Sequence, residues 1–258
     1  MSINLENCLS KKELKVICKC LREAITDTKE MLNNHCTSNS WPILYWDNAN
    51  KRLYESSIYK TGLENCEVFI AQRGPWAFAI MYKEGIIYSL MREERFDELK
   101  KTFEENSKTM HYTVGLSKII NVGLPEKQQV LFGDNIDYTQ MKSMVDRILN
   151  QLLEKNKVIE NYVTILFDAG RTELYGARMV LLNGSLEICD EYDMRDYIRF
   201  EESVIVESVN DYPNNTPDDP TKGLKPTKKW LDRKANKERR ERQDKNKDSD
   251  SLDSDNIK

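Results

Sequence analysis

Histidine is the side chain that titrates nearest neutral pH, and this chain has two, His35 and His111. His111, in Met110-His111-Tyr112 at the expected start of a helix, is the better placed for general acid–base work. Arg73, in Arg73-Gly74-Pro75-Trp76, stands at an expected strand junction, where a guanidinium suits an anion or phosphate contact. With a nearby carboxylate the pair would give a ribonuclease-like site. The competing reading of His111 is a packed or capping residue.

A second candidate is electrostatic. Residues 222–258 hold 13 Lys/Arg and 8 Asp/Glu, against totals of 39 and 43, so a basic C-terminal stretch follows an acidic body. Lys228, Lys229, Trp230, Arg233, Lys234, Lys237, Arg239, Arg240 and Arg242 form its centre, and Asp248–Asp255 turns acidic. Basic runs bind nucleic acid or acidic surfaces through counterion release, with Trp230 available to dock. The alternative is a solvated, solubilising tail. The acidic body does not attract nucleic acid by bulk charge, and a protein partner is expected for it.

Other chemistries lack their residues. Asp168 and Glu173 fall near each other, but Glu173-Leu174-Tyr175 lacks the lysine of a metal-dependent nuclease motif. Phosphate-loop, dinucleotide, zincin and hydrolase-elbow motifs are absent, and glycine is scarce at 10 residues. Cys8, Cys18, Cys20, Cys36, Cys66 and Cys189 contain no CxxC pair. Cys18 and Cys20 would point about 200° apart on a helix, which opposes a metal site with His35 and Cys36. Neither a metal nor a cofactor is expected. No apolar run is long enough to cross a bilayer and Met1–Cys8 has no signal character, so no membrane contact and a cytoplasmic location are expected.

The elements that must position these residues follow from periodicity. Ser10 and Glu13 form a capping box ahead of Leu14, Ile17, Leu21, Ile25 and Leu32, so residues 11–33 read as an amphipathic helix. Trp41-Pro42 and the cluster Asp47-Asn48-Ala49-Asn50 break residues 38–60 into two aromatic-rich pieces. Residues 67–72, 76–82 and 86–90 read as a three-stranded meander. Three helices are expected over 92–107, 110–122 and 138–155, with a short apolar piece at 129–132 between the last two. A second meander covers 162–167, 173–182 and 185–189, the last pair joined by Asn183-Gly184. A helical turn at 193–199 and a strand at 203–206 close the fold.

Strands and helices in separate runs indicate an α+β fold of antiparallel meanders packed with helices, as one domain over residues 1–209. The two meanders would build one antiparallel sheet covered on one face, or two small lobes. Trp41, Tyr45, Trp46, Phe69, Trp76 and Phe78 are assigned to its core. From Asn210 apolar residues are too sparse to offset ordering entropy, so residues 210–258 read as a disordered charged tail.

Arg73-Gly74-Pro75-Trp76, Leu90-Met91-Arg92-Glu93 before Phe96, and His111-Tyr112 together resemble an uncharacterised family of Gram-positive bacteria and their mobile elements, over about Val68–Ile198. The resemblance implies a bacterial or prophage origin, in a defence or toxin–antitoxin setting; it carries no activity, and the tail falls outside it. The expected function is a non-enzymatic interaction or regulatory protein whose acidic domain binds a protein partner and whose tail contacts nucleic acid or an acidic surface. The runner-up is a ribonuclease-like toxin or defence effector.

Overall fold

A computed structural model describes residues 3–33, 39–105, 109–125 and 138–198. The expected apolar piece at 129–132, the strand at 203–206, His35, Cys36 and the whole tail lie outside the described residues.

The chain opens with a short 3-10 turn, Leu5–Asn7, and then α1, Lys11–Leu32. The capping box forms as read: Glu13 N–H donates to Ser10 Oγ at 3.2 Å, and Ser10 N–H donates to Glu13 Oε2 at 2.7 Å. Glu13 also takes Lys83 Nζ at 2.7 Å, in a pair that is almost wholly buried. Burial alone would raise the Glu13 pKa, but the ion pair and the Ser10 bonds together hold it below the usual carboxylate value.

Residues 41–58 correct the sequence reading. They form one helix, α2 (Trp41–Ile58), rather than two pieces around a turn. Pro42 falls in the first turn, where its missing N–H has no helical partner to lose. Asn48 and Asn50, poor helix formers, are buried and bonded outside the helix ladder: Asn48 Nδ2 donates to Thr28 Oγ1 at 3.0 Å, and Asn50 Oδ1 accepts from Ala79 N–H at 2.7 Å. Tertiary partners override local propensity here.

The first meander is β1 (Glu67–Arg73), β2 (Trp76–Lys83) and β3 (Ile86–Arg92). Then come α3 (Glu93–Glu105), α4 (Tyr112–Ile120) and α5 (Tyr138–Glu154), each within a few residues of its expected bounds. The second meander is β4 (Asn161–Ala169), β5 (Leu174–Leu182) and β6 (Ile188–Asp193), and Arg195–Tyr197 makes the closing turn. β6 begins later than expected, because Asn183 Oδ1 accepts from the amides of both Ser185 and Glu187, which lengthens the loop.

The strands form one sheet in the order β1-β2-β3-β4-β5-β6. The two meanders meet at its centre through a parallel pair, Ile86↔Asn161 to Arg92↔Phe167, where an all-antiparallel sheet was expected. A parallel neighbour needs a long crossover, and α3–α5 supply it. The sheet is also covered on both faces. α1 and α2 pack Leu14, Ile17, Leu21, Tyr45 and Leu53 against Met81, Tyr88, Ile165 and Met179. α3–α5 pack Phe96, Leu99, Leu116 and Val145 against Ile80, Ile87, Leu166 and Val180 on the other face. This explains why β4 reads as a nearly continuous apolar run. The described residues all fall within one compact unit, Met1–Glu202, and none of their helices is long and apolar enough to cross a membrane.

Candidate functional site: a cleft where the sheet opens

The β2–β3 ladder is shorter than its strands. It runs from Lys83↔Ile86 to Ile80↔Ser89 and stops, although β2 extends back to Trp76 and β3 on to Arg92. β1 stays with β2 as far as Arg73↔Trp76, and β3 stays with β4 as far as Arg92↔Phe167. The sheet therefore splits at this end, one hairpin parting from the strands beside it. Two helices, one from each face, cap the opening. Asn50 of α2 accepts the Ala79 N–H, and Tyr112 of α4 donates its hydroxyl to Leu90 O at 3.3 Å. An orphaned buried N–H costs about 1–3 kcal/mol, so the Asn50 bond stabilises the split state directly.

The split holds a cleft of 350 Å³, within the range of about 300–1,000 Å³ typical of small-ligand pockets. Phe78, Leu90, Met91, His111 and Tyr112 are buried and form its floor. There Tyr112 stacks on Phe78 with ring centroids 4.5 Å apart, and the His111 ring lies 4.5 Å from Tyr112 on the same basis. Arg73, Arg92, Arg95, Pro42, Trp46 and Trp76 surround that floor nearer solvent. Trp76 is 59% exposed, which corrects its assignment to the core; Trp46 is half-buried, while Trp41, Tyr45, Phe69 and Phe78 are core as expected.

Arg73 and Arg92 are held by backbone rather than by carboxylates. Arg73 Nη2 donates to Met110 O at 2.6 Å, which ties the β1 end to the residue before His111. Arg92 Nη2 donates to Ala169 O at 2.7 Å, which ties the end of β3 to the end of β4. Among the described residues neither forms an ion pair, while Arg95 bonds Glu98 at 2.8 Å on the outer face of α3. Among the described residues no carboxylate lines the cleft. Gly74, at φ 59°, gives the two-residue β1–β2 loop its left-handed position, and this sets Arg73 opposite Trp76. A side chain at Gly115 would press within 3.0 Å of Val145, so glycine lets α4 seat closely on α5 beneath the cleft.

His111 is the N-cap of α4: its Nδ1 accepts from Thr113 N–H at 3.3 Å. With Nδ1 accepting, the ring proton sits on Nε2. Burial, and then the charges of Arg73 and Arg95, push its pKa down to about 3. The ring is therefore neutral at physiological pH, a hydrogen-bond donor rather than a ready proton acceptor.

The structure thus brings His111 and Arg73 together and adds Arg92, Arg95, Trp46 and Trp76, which were not singled out as site residues. The signal for Arg92 and Trp76 was present: Arg73–Trp76, Leu90–Glu93 and His111-Tyr112 are the three segments that carried the resemblance, and all three contribute to the cleft. The tail residues Lys228, Lys229, Trp230, Arg233, Lys234, Lys237, Arg239, Arg240 and Arg242 lie outside the described residues.

A second cleft, of 290 Å³, opens at the same end of the sheet beside β4 and β5. Asp168 lines it, with Glu93, Glu191 and Asp193, but arginines answer the last three. Arg178 pairs with Glu93 and, at 2.7 Å, with Glu191, and Arg195 Nε donates to Asp193 at 2.7 Å. Among the described residues no three His, Cys, Asp or Glu side chains are grouped to hold a metal. Cys18 and Cys20 diverge on α1 toward Met194 O and Ser56 Oγ, and burial pushes the Cys18 thiol up to about 12.

The chain belongs to DUF5986, a family of unknown function whose profile matches residues 6–244. The match extends well beyond the expected 68–198 and takes in most of the basic stretch that had been placed outside it. No curated protein and no solved structure matches the chain.

Proposed function

We propose that this member of a family of unknown function is a non-enzymatic binding protein whose cleft holds a phosphate-type anion. One observation carries the reading: Arg73 and Arg92 border one cleft with no carboxylate partner among the described residues, beside a neutral imidazole and the first turn of α4. Guanidinium groups fixed by one backbone bond each keep their remaining donors for a ligand. The helix N-terminus favours negative charge at the same place. The basic residues of the tail would extend this contact along a phosphate backbone.

The ribonuclease-like alternative has less support. It needs a group that exchanges protons near neutrality and a carboxylate partner. Burial pushes the His111 pKa down to about 3, and among the described residues no acid lines the cleft.

Isothermal titration of the full chain with inorganic phosphate at low ionic strength tests the proposal. Saturable binding is expected, weakened about tenfold or more by Arg73→Ala or by Arg92→Ala, since a hydrogen bond to a charged group is worth about 1.5–3 kcal/mol. No binding to the wild-type chain, or equal binding by both variants, overturns it.

A further inference from the structure

We infer that the anion enters the cleft as part of a nucleotide, whose base stacks on Trp76 while its phosphate meets Arg73 and Arg92. The inference rests on the anion reading above and specifies what carries the phosphate.

Three features separate a nucleotide from a bare anion or a sugar phosphate. Trp76 sits at the tip of the β1–β2 hairpin, directly across from Arg73 in the ladder, and is exposed over more than half its surface. An indole that borders a cationic cleft offers a flat apolar face to a flat apolar group, and stacking of this kind tolerates any base. The floor is aromatic and aliphatic, built from Phe78, Tyr112, Leu90 and Met91, so the ligand must bring apolar surface with its charge.

The third feature is the open ladder itself. The Ala79 N–H and Leu90 C=O, which would pair with each other if β2 and β3 stayed together, are taken by Asn50 and Tyr112. Strand alternation aims the peptide groups of Ala77 and Arg92, the next such pair, into the same gap. The cleft edge thus presents backbone donors and acceptors together. A base edge, with its own donors and acceptors, matches that complement. The phenyl ring of a phosphotyrosine does not.

Two sources carry this chemistry: a free nucleoside monophosphate and the phosphorylated end of a single strand. The test uses the full chain and follows Trp fluorescence and calorimetry. The probes are AMP, ribose 5-phosphate, O-phosphotyrosine, and a short single-stranded RNA with and without its 5′-phosphate. AMP or the 5′-phosphorylated RNA is expected to bind at least about tenfold more tightly than ribose 5-phosphate or phosphotyrosine. Trp76→Leu should erase that preference while leaving ribose 5-phosphate affinity within about twofold. Preference for AMP identifies a free nucleotide as the source; preference for the 5′-phosphorylated RNA over both AMP and the unphosphorylated strand identifies a strand end. Trp76 is exposed at a hairpin, so the variant should fold, and an unchanged melting temperature checks this. Ribose 5-phosphate or phosphotyrosine binding as tightly as AMP and the 5′-phosphorylated RNA, with the arginine dependence intact, overturns the inference and leaves the anion reading standing. Failure of all phosphate probes overturns both.

Discussion

Two clefts open at one end of the same sheet, and they differ in how their charges are answered. Beside β4 and β5, Arg178 lies between Glu93 and Glu191, and Arg195 faces Asp193, so each arginine has a carboxylate within the cleft wall. Between β2 and β3, Arg73 and Arg92 have only carbonyl oxygens for partners among the described residues. Paired charges on a partly exposed wall contribute modestly to stability and have little left to offer a ligand. A guanidinium held by one carbonyl keeps its remaining donors. The comparison teaches that a charged cleft in this protein is read by its unanswered charges rather than by its size or its acids.

The largest effect that would break the contrast is on ligand binding. Arg73→Ala combined with Arg92→Ala should lower phosphate affinity by at least about 100-fold, and the loss of their bonds to Met110 O and Ala169 O should cost about 1–3 kcal/mol each, read separately by denaturation. Unchanged phosphate affinity in a folded double variant would leave both arginines a structural role alone. Asn50→Ala comes next, with an expected loss of about 2 kcal/mol in chemical denaturation, because the buried Ala79 N–H loses its acceptor. A neutral result would mean the opening closes when its cap is removed.

His111 sharpens the comparison through pH. Its folded pKa, about 3, lies below its ordinary value of about 6.5, so between those values the unfolded chain binds the extra proton. Stability from this group is present above pH 6.5 and is lost as pH falls toward 3. Between pH 6.5 and 5, before most carboxylates titrate, the loss should reach about 2 kcal/mol. His111→Asn should keep the cap and flatten that slope in denaturation curves measured at several pH values. An unchanged slope would contradict the burial-driven shift. The smallest effect is at the second cleft. Arg178→Ala should cost about 1 kcal/mol and leave phosphate affinity within twofold, since Glu93 is about a third exposed and Glu191 more than half. A marked loss of affinity would place the anion in the wrong cleft.

Local chemistry was legible wherever it was local. The Ser10–Glu13 box, the Arg73–Trp76 turn and the helical stripe of α5 appear in the structure because near neighbours determine them. What escaped was decided at a distance. α2 was split in two because Asn48 and Asn50 look like a turn until their partners on α1 and β2 are known. The parallel β3–β4 pair is invisible to periodicity, since three helices separate its strands. Trp76 was assigned to the core because its strand is apolar, and only the early end of the β2–β3 ladder shows that its end of the strand is open. His111 and Arg73 were singled out by residue type and by their place at an expected helix start and strand junction; Arg92 needed β3 to end where it does.

The proposed anion site is the opened ladder between β2 and β3. Amide shift mapping of the full chain during a phosphate titration tests this most directly. The largest perturbations are expected at Ala77, Arg92 and His111–Thr113, with small ones around Arg178. Perturbations confined to Lys228–Arg242, or centred on Arg178 and Arg195, would contradict it.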